Sequence, residues 1–387
     1  MKKYLCFALA MLFVFLTACT PATPEDSTAT TVPTTTEALA DQGIKNIVLI
    51  IGDGMGVDQV RAGELAASKK FAFTGWEHTL VDTNSLNGNL EPLNVTDSAA
   101  AATALATGVL TKNKRVGRDP DGNILKTIMD YASQDYGKAT GVITTDYSYG
   151  ATPGGFSGHS VSRDNYDEIL LTQLQSGIDL LCCRYSGEVM DKRADVKSAG
   201  YTLSYSMHDA KANLEAEKVF WMLNIYNHKS TDKLTDVTEM ALDYLSRDPD
   251  GFVLMIEQAT IDHYGHDHEF NGIPQCVNIL NDTVDTVVEW IGDREDTAIL
   301  VTADHETGGL EVSTEPIFSR SYTSDNGDLI YYTFRVLGHS NSKVDLYVYG
   351  FQPDFKRYYT EERPDFIKNT NVFDIMLDLL EDPLQEN

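Results

Sequence analysis

Short apolar runs alternate with amphipathic segments along most of the chain. The runs have the length and the β-branched composition of strands buried on both faces, at 46–51, 139–144, 177–181, 219–225, 252–256 and 298–302. Helical patterns occupy the stretches at 57–69, 124–136, 164–175, 234–245 and 273–290. This alternation predicts an α/β fold with three layers, in which helices cover both faces of a central, mostly parallel sheet. Two later strands are expected at 331–337 and 344–349, with Gly338-His339-Ser340 between them.

The N-terminal residues have the pattern of a targeting segment. Lys2 and Lys3 precede an apolar stretch at 4–16, which is typical of a secretory signal and too short to span a membrane as a helix. The stretch ends in Leu16-Thr17-Ala18-Cys19, which resembles the bacterial lipobox, in which the cysteine is lipidated. An ordinary signal peptide cleaved near Ala18 is the alternative. We expect an exported protein that is anchored at the cell envelope by a lipid on Cys19.

The rest of the chain is expected to consist of a tether and one domain. Residues 20–42 are rich in Thr, Pro and Ala, and we expect a disordered tether because such a segment has too few large apolar side chains to form a core. Residues 43–387 are expected to form one catalytic domain, with a small insertion at about 310–338. The 58 acidic residues exceed the 30 basic residues and give a net charge of -28, which argues against a nucleic-acid partner.

Three cysteines lie beyond the signal and the lipobox. Cys182 and Cys183 are adjacent, and neighbouring cysteines rarely bridge each other because the ring is strained. One of the pair could pair with Cys276, and three buried thiols fit the sequence equally well.

Acidic residues and histidines cluster near the ends of predicted strands. Asp53 lies in a glycine-rich turn after the first strand, Glu257 follows 252–256, and Asp304 follows 298–302. Ligands of doubly wound sheets bind beyond the carboxyl ends of the strands. The clusters also contain Asp262, His266, His305 and His339. Carboxylates with imidazoles suit zinc and oxygen ligands suit magnesium, so we predict a multi-metal site, a type of site that commonly acts on phosphates.

Ser98 is the candidate nucleophile. It precedes an alanine-rich stretch that ends at Gly108, and Thr96 or Asp97 can cap the helix that this stretch predicts. Ser98 then lies in the first turn, where free N–H groups and the helix dipole favour an anion such as a phosphoryl group. A plain capping role is the alternative, and the predicted metal site favours the catalytic role.

Several segments together resemble the alkaline phosphatases, in particular bacterial, lipoprotein-type members of that superfamily. The matching segments occur in the family's order, at 51–56, 96–100, 151–153, 162–163, 257–266, 302–309 and 338–340. The resemblance implies an alkaline-phosphatase-like fold and hydrolysis of phosphate monoesters to an alcohol and inorganic phosphate through a phosphoserine intermediate. It also implies two Zn²⁺ ions and one Mg²⁺ ion. Relatives are mostly homodimers, and both a homodimer and a monomer fit the sequence.

The resemblance assigns a role to each site residue. Asp262, His266 and His339 would hold the first zinc, and Asp53, Asp304 and His305 the second, beside Ser98. Asp53, Thr152 and Glu257 would hold magnesium, although Gly150 stands where many relatives have an acid or a histidine. Arg163 would bind two phosphoryl oxygens. His263 would contact phosphate through water or would be a solvated side chain.

Two alternatives stay open. A phosphodiesterase, or another phospho- or sulfohydrolase of the same superfamily, would use a similar site. Ser98 and Arg163 favour the monoesterase, because a diester has no room for an arginine on both free oxygens. A lipid-anchored protein that binds phosphate or metal without catalysis is an alternative of another class. His159 is interpreted as structural, and Asp267 and His268 as surface residues.

Overall fold

The computed structural model describes residues 43–86 and 94–381. The predicted signal, lipobox and tether lie outside these ranges. The strands are β1 Asn46–Gly52, β2 Glu77–Asp82, β3 Ala139–Thr144, β4 Leu180–Arg184, β5 Tyr201–Ser204, β6 Lys218–Leu223, β7 Phe252–Gln258, β8 Thr297–Thr302, β9 Glu306–Thr307, β10 Leu310–Ser313, β11 Arg320–Thr323, β12 Leu329–Phe334, β13 His339–Ser340, β14 Val344–Tyr349 and β15 Phe366–Lys368. The helices are α1 Val57–Ala67, α2 Ser98–Thr107, α3 Ile128–Tyr136, α4 Ala151–Ser157, α5 Tyr166–Gln175, α6 Gly187–Asp191, α7 Arg193–Ser198, α8 Met207–Ala212, α9 Leu234–Leu245, α10 Thr260–His266, α11 Gly272–Ile291 and α12 Asn369–Leu380.

Ten strands of the described residues form the central sheet. Their order is β15-β2-β14-β8-β1-β7-β3-β4-β6-β5. The pairs from β8 to β5 are parallel, whereas β14 is antiparallel to both β8 and β2. Every residue of β1, β7 and β8 is buried, which explains why these strands are continuous apolar runs in the sequence. The predicted α/β fold with a mostly parallel sheet is confirmed.

Nine of these helices form two groups. α1, α9 and α10 each pack against α11, and α2, α3, α4, α5 and α12 form the second group. All residues of α2 are buried, and its alanines permit close contact with α4, since a Cβ on Gly155 would lie 2.8 Å from the Ala102 Cβ. No helix among the described residues is long and apolar enough to cross a membrane.

The structure corrects several predicted boundaries. The strand predicted at 177–181 is β4, Leu180–Arg184, because Gly177 has φ +89° and forms a turn. The helix predicted from residue 124 begins at Ile128, where the Thr127 and Asp130 side chains form a capping box. The strand predicted at 331–337 is β12, Leu329–Phe334. The helix predicted from residue 164 begins at Tyr166.

The segment between His305 and His339 forms two small antiparallel sheets. β10, β12 and β11 form one, and β12 packs its Tyr332 ring on Phe270, with ring centroids 4.1 Å apart. β13 pairs with β9, so that His339 lies opposite Thr307. This pairing brings His339 close to His305, although 34 residues separate them in the chain.

Candidate active site

Three acidic side chains meet at the carboxyl edge of the central strands. Asp53 follows β1, Asp304 lies two residues after the end of β8, and Glu257 is the penultimate residue of β7. The register places Ile51 opposite Glu257 on one side and opposite Thr302 on the other. Parallel strands that end together therefore bring residues 53, 257 and 304 to one edge of the sheet. All three side chains are buried.

The first candidate metal set is Asp262, His266 and His339. The His266 Nε2 lies 3.1 Å from the His339 Nε2, and the Asp262 Oδ1 lies 3.4 Å and 3.5 Å from these two nitrogens. Ligand atoms at about 2.0–2.1 Å around a tetrahedral zinc are separated by roughly 3.3 Å. The three atoms thus already form a triangle of the size that one zinc ion needs. Asp262 and His266 reach it from the same side of α10 because they are four residues apart.

The second candidate metal set is Asp53, Asp304 and His305. The His305 Nε2 lies 3.2 Å from the Asp304 Oδ2 and 3.5 Å from the Asp53 Oδ1. Among the described residues these two carboxylate oxygens are buried without a hydrogen-bond donor. Buried anionic oxygens without donors are costly, and a cation between them and the imidazole would remove that cost.

Backbone and hydroxyl groups orient both sets. The His339 Nδ1 lies 2.8 Å from the Thr96 carbonyl, which can only accept, so this nitrogen carries the proton and leaves Nε2 free to bind a metal. The Thr307 hydroxyl donates to the Asp262 Oδ1 at 2.5 Å and lies 3.2 Å from the His305 Nδ1. Thr307 therefore links the two sets, a role that sequence analysis did not identify.

Burial and mutual repulsion shape the electrostatics of the carboxylates. Burial, and then the charge of Asp304, raise the pKa of Asp53 well above its usual range. Burial and the charge of Asp262 raise the pKa of Asp304 to about 6. For Asp262, the effect of burial is outweighed by the nearby imidazoles of His339, His305 and His266, which lower its pKa. Burial and the charge of His339 lower the pKa of His305 well below its usual value, so this imidazole is neutral, as a metal ligand must be.

Ser98 lies at the start of α2, next to the second set. The Asp97 side chain caps the helix by accepting from the Ala100 N–H at 3.0 Å, so Asp97 rather than Thr96 is the cap. The Ser98 Oγ lies 3.2 Å from the His305 Nε2. Ser98 therefore lies at a helix N-terminus, which favours an anion, and next to the His305 Nε2, which would bind the second ion.

Arg163 reaches the same place from another part of the chain. Its Nη1 lies 3.4 Å from the Asp97 Oδ2. Arg163, Ser98 and Asp53 line one cavity of about 310 Å³. The sequence-predicted nucleophile, phosphoryl-binding arginine and metal ligands therefore share one site.

Comparison with known proteins identifies the family. The alkaline phosphatase family model matches residues 44–204 and 221–374. The chain belongs to the alkaline phosphatase family. Alkaline phosphatase 3 of Bacillus subtilis (strain 168) is 31% identical over 296 residues, which cover 71% of this chain and 64% of that protein. This chain thus spans less than two thirds of that relative's own length. Alkaline phosphatase of Escherichia coli (strain K12) is 26% identical over 385 residues, which cover 80% and 79% of the two chains.

Solved alkaline phosphatases share the fold. The enzyme from the Antarctic bacterium TAB5 aligns with a TM-score of 0.74 at 25% identity and covers 88% of this chain and 98% of its own. A histidine-to-glutamate variant of that enzyme, with Mg bound in its M3 site, aligns equally well and covers 99% of its own chain. The predicted family is confirmed, whereas its lipoprotein-type subgroup stays a prediction.

The third candidate metal set consists of Asp53, Thr152 and Glu257. Glu257 accepts a hydrogen bond from the Thr144 hydroxyl, and burial raises its pKa to about 8. The Thr152 hydroxyl is buried and has no hydrogen bond of regular geometry among the described residues. Gly150 is the N-cap of α4 and adds no side chain to this set. The set offers oxygen ligands only, which is the kind that magnesium prefers.

Three of the other histidines, His159, His263 and His268, were interpreted from the sequence. His263 lines the cavity, and its Nδ1 lies 3.0 Å from the Tyr226 hydroxyl. His159 contacts the Gly117 carbonyl at 2.9 Å, which is a structural contact. His268 was interpreted as a surface residue, but its ring stacks on Phe334 at 4.6 Å and its Nε2 donates to the Val336 carbonyl at 2.8 Å. These two contacts hold the end of β12 against His268. The sequence could not show them, because they join residues that are far apart in the chain.

Sequence analysis missed four residues of the cavity wall. Asp146, Tyr147 and Tyr149 follow β3, and Arg184 ends β4. Their sequence signal was weak, because a lone arginine or tyrosine at a strand end has many ordinary roles. Only the parallel pairing of β3 with β4 brings them together.

Proposed function

We propose that this chain hydrolyses phosphate monoesters to an alcohol and inorganic phosphate, with bound metal ions and through a phosphoserine intermediate at Ser98. The observation that carries the proposal is the pair of three-residue sets, with Asp–His and His–His atoms 3.1–3.5 Å apart, beside the Ser98 hydroxyl. Membership of the alkaline phosphatase family supports the same activity.

The residues of all three sets fit metal ions. Asp262, His266 and His339 would hold one Zn²⁺, and Asp53, Asp304 and His305 a second. Asp53, Thr152 and Glu257 would hold Mg²⁺, and the magnesium bound in the M3 site of the TAB5 variant supports an oxygen site of this kind. Asp53 and Asp304 each have a buried oxygen that receives no hydrogen bond from the described residues, and these are atoms that such ions would satisfy. Bound divalent ions supply Lewis acidity, which stabilises the charge of phosphoryl oxygens and of the serine oxygen.

The protein side chains position the reacting groups. Ser98 attacks phosphorus, forms the phosphoserine and displaces the alcohol, and water then releases phosphate and restores the serine. The first-turn N–H groups of α2 stabilise the charge on the transferred group. Arg163 binds two of its oxygens with the planar guanidinium, and Asp97 holds that guanidinium in place. His263 would contact the phosphoryl group from the cavity wall.

Ser98→Ala tests the covalent step. We expect turnover of an aryl phosphate to fall by roughly three orders of magnitude or more, because the nucleophile is lost. Zinc content should not change, because Ser98 belongs to neither metal set. Ser176→Ala is the matched control, since the Ser176 hydroxyl only caps α5 by donating to the Gln173 carbonyl. Turnover close to that of the wild type in the Ser98→Ala protein would refute the phosphoserine.

A second substrate separates this proposal from the two alternatives. A phosphodiesterase should hydrolyse a bis-aryl diester better than the aryl monoester. A binding protein should bind phosphate in calorimetry and hydrolyse neither. We expect the monoester to be preferred, because Arg163 lies where it can contact two unesterified oxygens.

We also propose that the protein is exported and anchored by a lipid on Cys19. The lipobox-like sequence and the Thr/Pro-rich segment after it support this location. Cys19→Ala should move the protein from the membrane fraction to the soluble fraction. Wild-type protein that is already soluble would contradict the anchor. A homodimer stays a prediction, which sedimentation of the purified protein tests.

A further inference from the structure

A row of stacked planar side chains lines part of the cavity that contains Ser98. The Arg184 guanidinium carbon lies 3.8 Å from the centroid of the Tyr147 ring and 4.5 Å from that of Tyr226. Tyr147 stacks on Tyr149 at 5.2 Å, and Tyr149 contacts Tyr166 at the same distance. The guanidinium is therefore enclosed between two aromatic faces, an arrangement that arginine adopts well and lysine does not.

Further contacts hold Arg184 in one position. Its backbone N–H donates to the Asp146 carbonyl at 2.9 Å, and its Nε lies 2.9 Å from the Asp146 Oδ1. The Tyr226 hydroxyl contacts the His263 Nδ1 at 3.0 Å, which fixes the outer ring of the stack. Because these contacts all come from the protein itself, much of the conformational entropy of this long side chain is already lost before a substrate binds.

The terminal nitrogens of Arg184 are available to a ligand. They donate no hydrogen bond to any residue in 43–86 or 94–381, although the side chain is only 25% exposed. Arg335 offers a contrast, because its Nε and Nη2 both donate to the Glu311 carboxylate, at 2.9 and 2.8 Å. A guanidinium has five N–H donors, and those on the terminal nitrogens of Arg184 are free to donate to a ligand in the cavity.

Arg184 resembles Arg163 in its setting. Both arginines line the cavity of about 310 Å³, and both are held by an aspartate, Asp97 for Arg163 and Asp146 for Arg184. Arg163 is sufficient to bind the transferred phosphoryl group, so Arg184 can bind a different group. Glu188, the other carboxylate near Arg184, accepts hydrogen bonds from the Tyr149 and Ser186 hydroxyls through its Oε2.

We propose that Arg184 binds a second anionic group, a carboxylate or a phosphate on the leaving-group part of the substrate, and that this alkaline phosphatase prefers phosphomonoesters that carry one. This inference rests on the proposed function. The planar fork of the guanidinium matches either group, and the enclosed position makes the contact stronger than on an open surface.

Paired substrates test the preference. 3-Phosphoglycerate and glycerol 3-phosphate differ by a carboxylate, and fructose 1,6-bisphosphate and fructose 6-phosphate differ by a second phosphate. The readout is the ratio of kcat/KM for the anionic substrate to that for its partner. In Arg184→Ala we expect the ratio of at least one pair to fall by about tenfold, the effect of losing one charge-assisted contact. Arg184→Gln keeps a planar group between the tyrosines but not the charge, so it should lower the ratio as much even if the alanine variant folds poorly.

Arg294→Ala is the matched control. Arg294 also stacks on an aromatic ring, Trp290 at 3.6 Å, but lies outside the cavity. The kcat/KM ratios of the Arg294→Ala protein should equal those of the wild type. Wild-type ratios in Arg184→Gln for both pairs would overturn the inference and leave the proposed function standing. If kcat/KM falls by the same factor for both members of each pair while the inhibition constant of inorganic phosphate rises, Arg184 contacts the transferred phosphoryl group, and the inference is also overturned. No hydrolysis of any of the four substrates by the wild type would instead refute the proposed function.

Discussion

Glu257→Gln should stabilise the metal-free protein at pH 8 and change its stability little at pH 4.5. Glu257 is buried at the end of β7, where burial raises its pKa from 4.5 to about 8. The Thr144 hydroxyl donates to it, but the nearby carboxylates of Asp146 and Asp304 disfavour its charge. In the unfolded chain the same group ionises near its ordinary value. The folded protein therefore holds a proton that the unfolded chain has released over most of the interval between these two pKa values.

The sign and the size of the effect follow from this difference. Because the folded pKa is the higher one, the stabilising contribution is complete below pH 4.5 and is lost as the pH rises toward 8. Each pKa unit corresponds to about 1.4 kcal/mol, so the free energy of unfolding falls by about 5 kcal/mol over the interval. That loss is large against a typical total of about 5–15 kcal/mol. Glutamine has nearly the same shape without the charge, so the variant should lose this pH dependence.

The assay is urea unfolding of chelator-treated protein at pH 4.5, 6.5 and 8. Glu64→Gln is the control, because Glu64 is buried but forms an ion pair with Lys70 at 2.6 Å, and its substitution should not stabilise the protein at pH 8. Adding Zn²⁺ and Mg²⁺ should restore the stability of the wild type at pH 8, since cations neutralise the clustered carboxylates. The reasoning is refuted if the metal-free wild type and Glu257→Gln show the same slope of unfolding free energy against pH.

Three further predictions concern other parts of the molecule. Arg163→Ala should raise the inhibition constant of inorganic phosphate about tenfold or more, because a bidentate charged contact is lost, and unchanged inhibition would exclude that contact. Gly54→Ala should lower both the melting temperature and the bound zinc, since φ is +71° and the new Cβ would lie 2.8 Å from the Asp262 Cα. Gly177→Ala, with φ +89° and open space around it, should lower only the melting temperature, and equal zinc loss in both variants would contradict this reasoning. Cys182, Cys183 and Cys276 are buried free thiols, so a thiol reagent should label these three only after denaturation, and labelling of any of the three in the native protein would be the contrary result.

The sequence predicted best the helices and strands whose hydrophobic pattern does not depend on the strand or helix they pair with. β3 and α9 lie where the sequence placed them, and β1 extends its predicted strand by one residue. β2 was missed, because only alternate residues of Glu77–Asp82 are buried and its ends are charged. Such a strand is defined by its pairing with β14 rather than by its own composition.

The residues of the candidate site likewise include some that the sequence predicted and some that it could not. Asp53 and Asp304 could be predicted because each follows an apolar run whose C-terminal end must meet its neighbours at one edge of a parallel sheet. Thr307 and Arg184 could not be predicted, since their roles depend on contacts between distant segments. The contact of His268 with Phe334 could not be predicted for the same reason, because Phe334 lies 66 residues further along the chain.

The sequence by itself determined the kind of chemistry, because carboxylates, imidazoles and one serine at strand and helix ends restrict what can be bound there. It also determined the layered fold, since fully apolar strands must be covered on both faces. Only the tertiary structure decided which atoms meet. The triangle of Asp262, His266 and His339 needs the β13–β9 pairing, and the enclosed Arg184 needs β3, β4 and the loop after β6. Distances between side chains from different segments are set by strand register and helix packing, which local sequence does not encode.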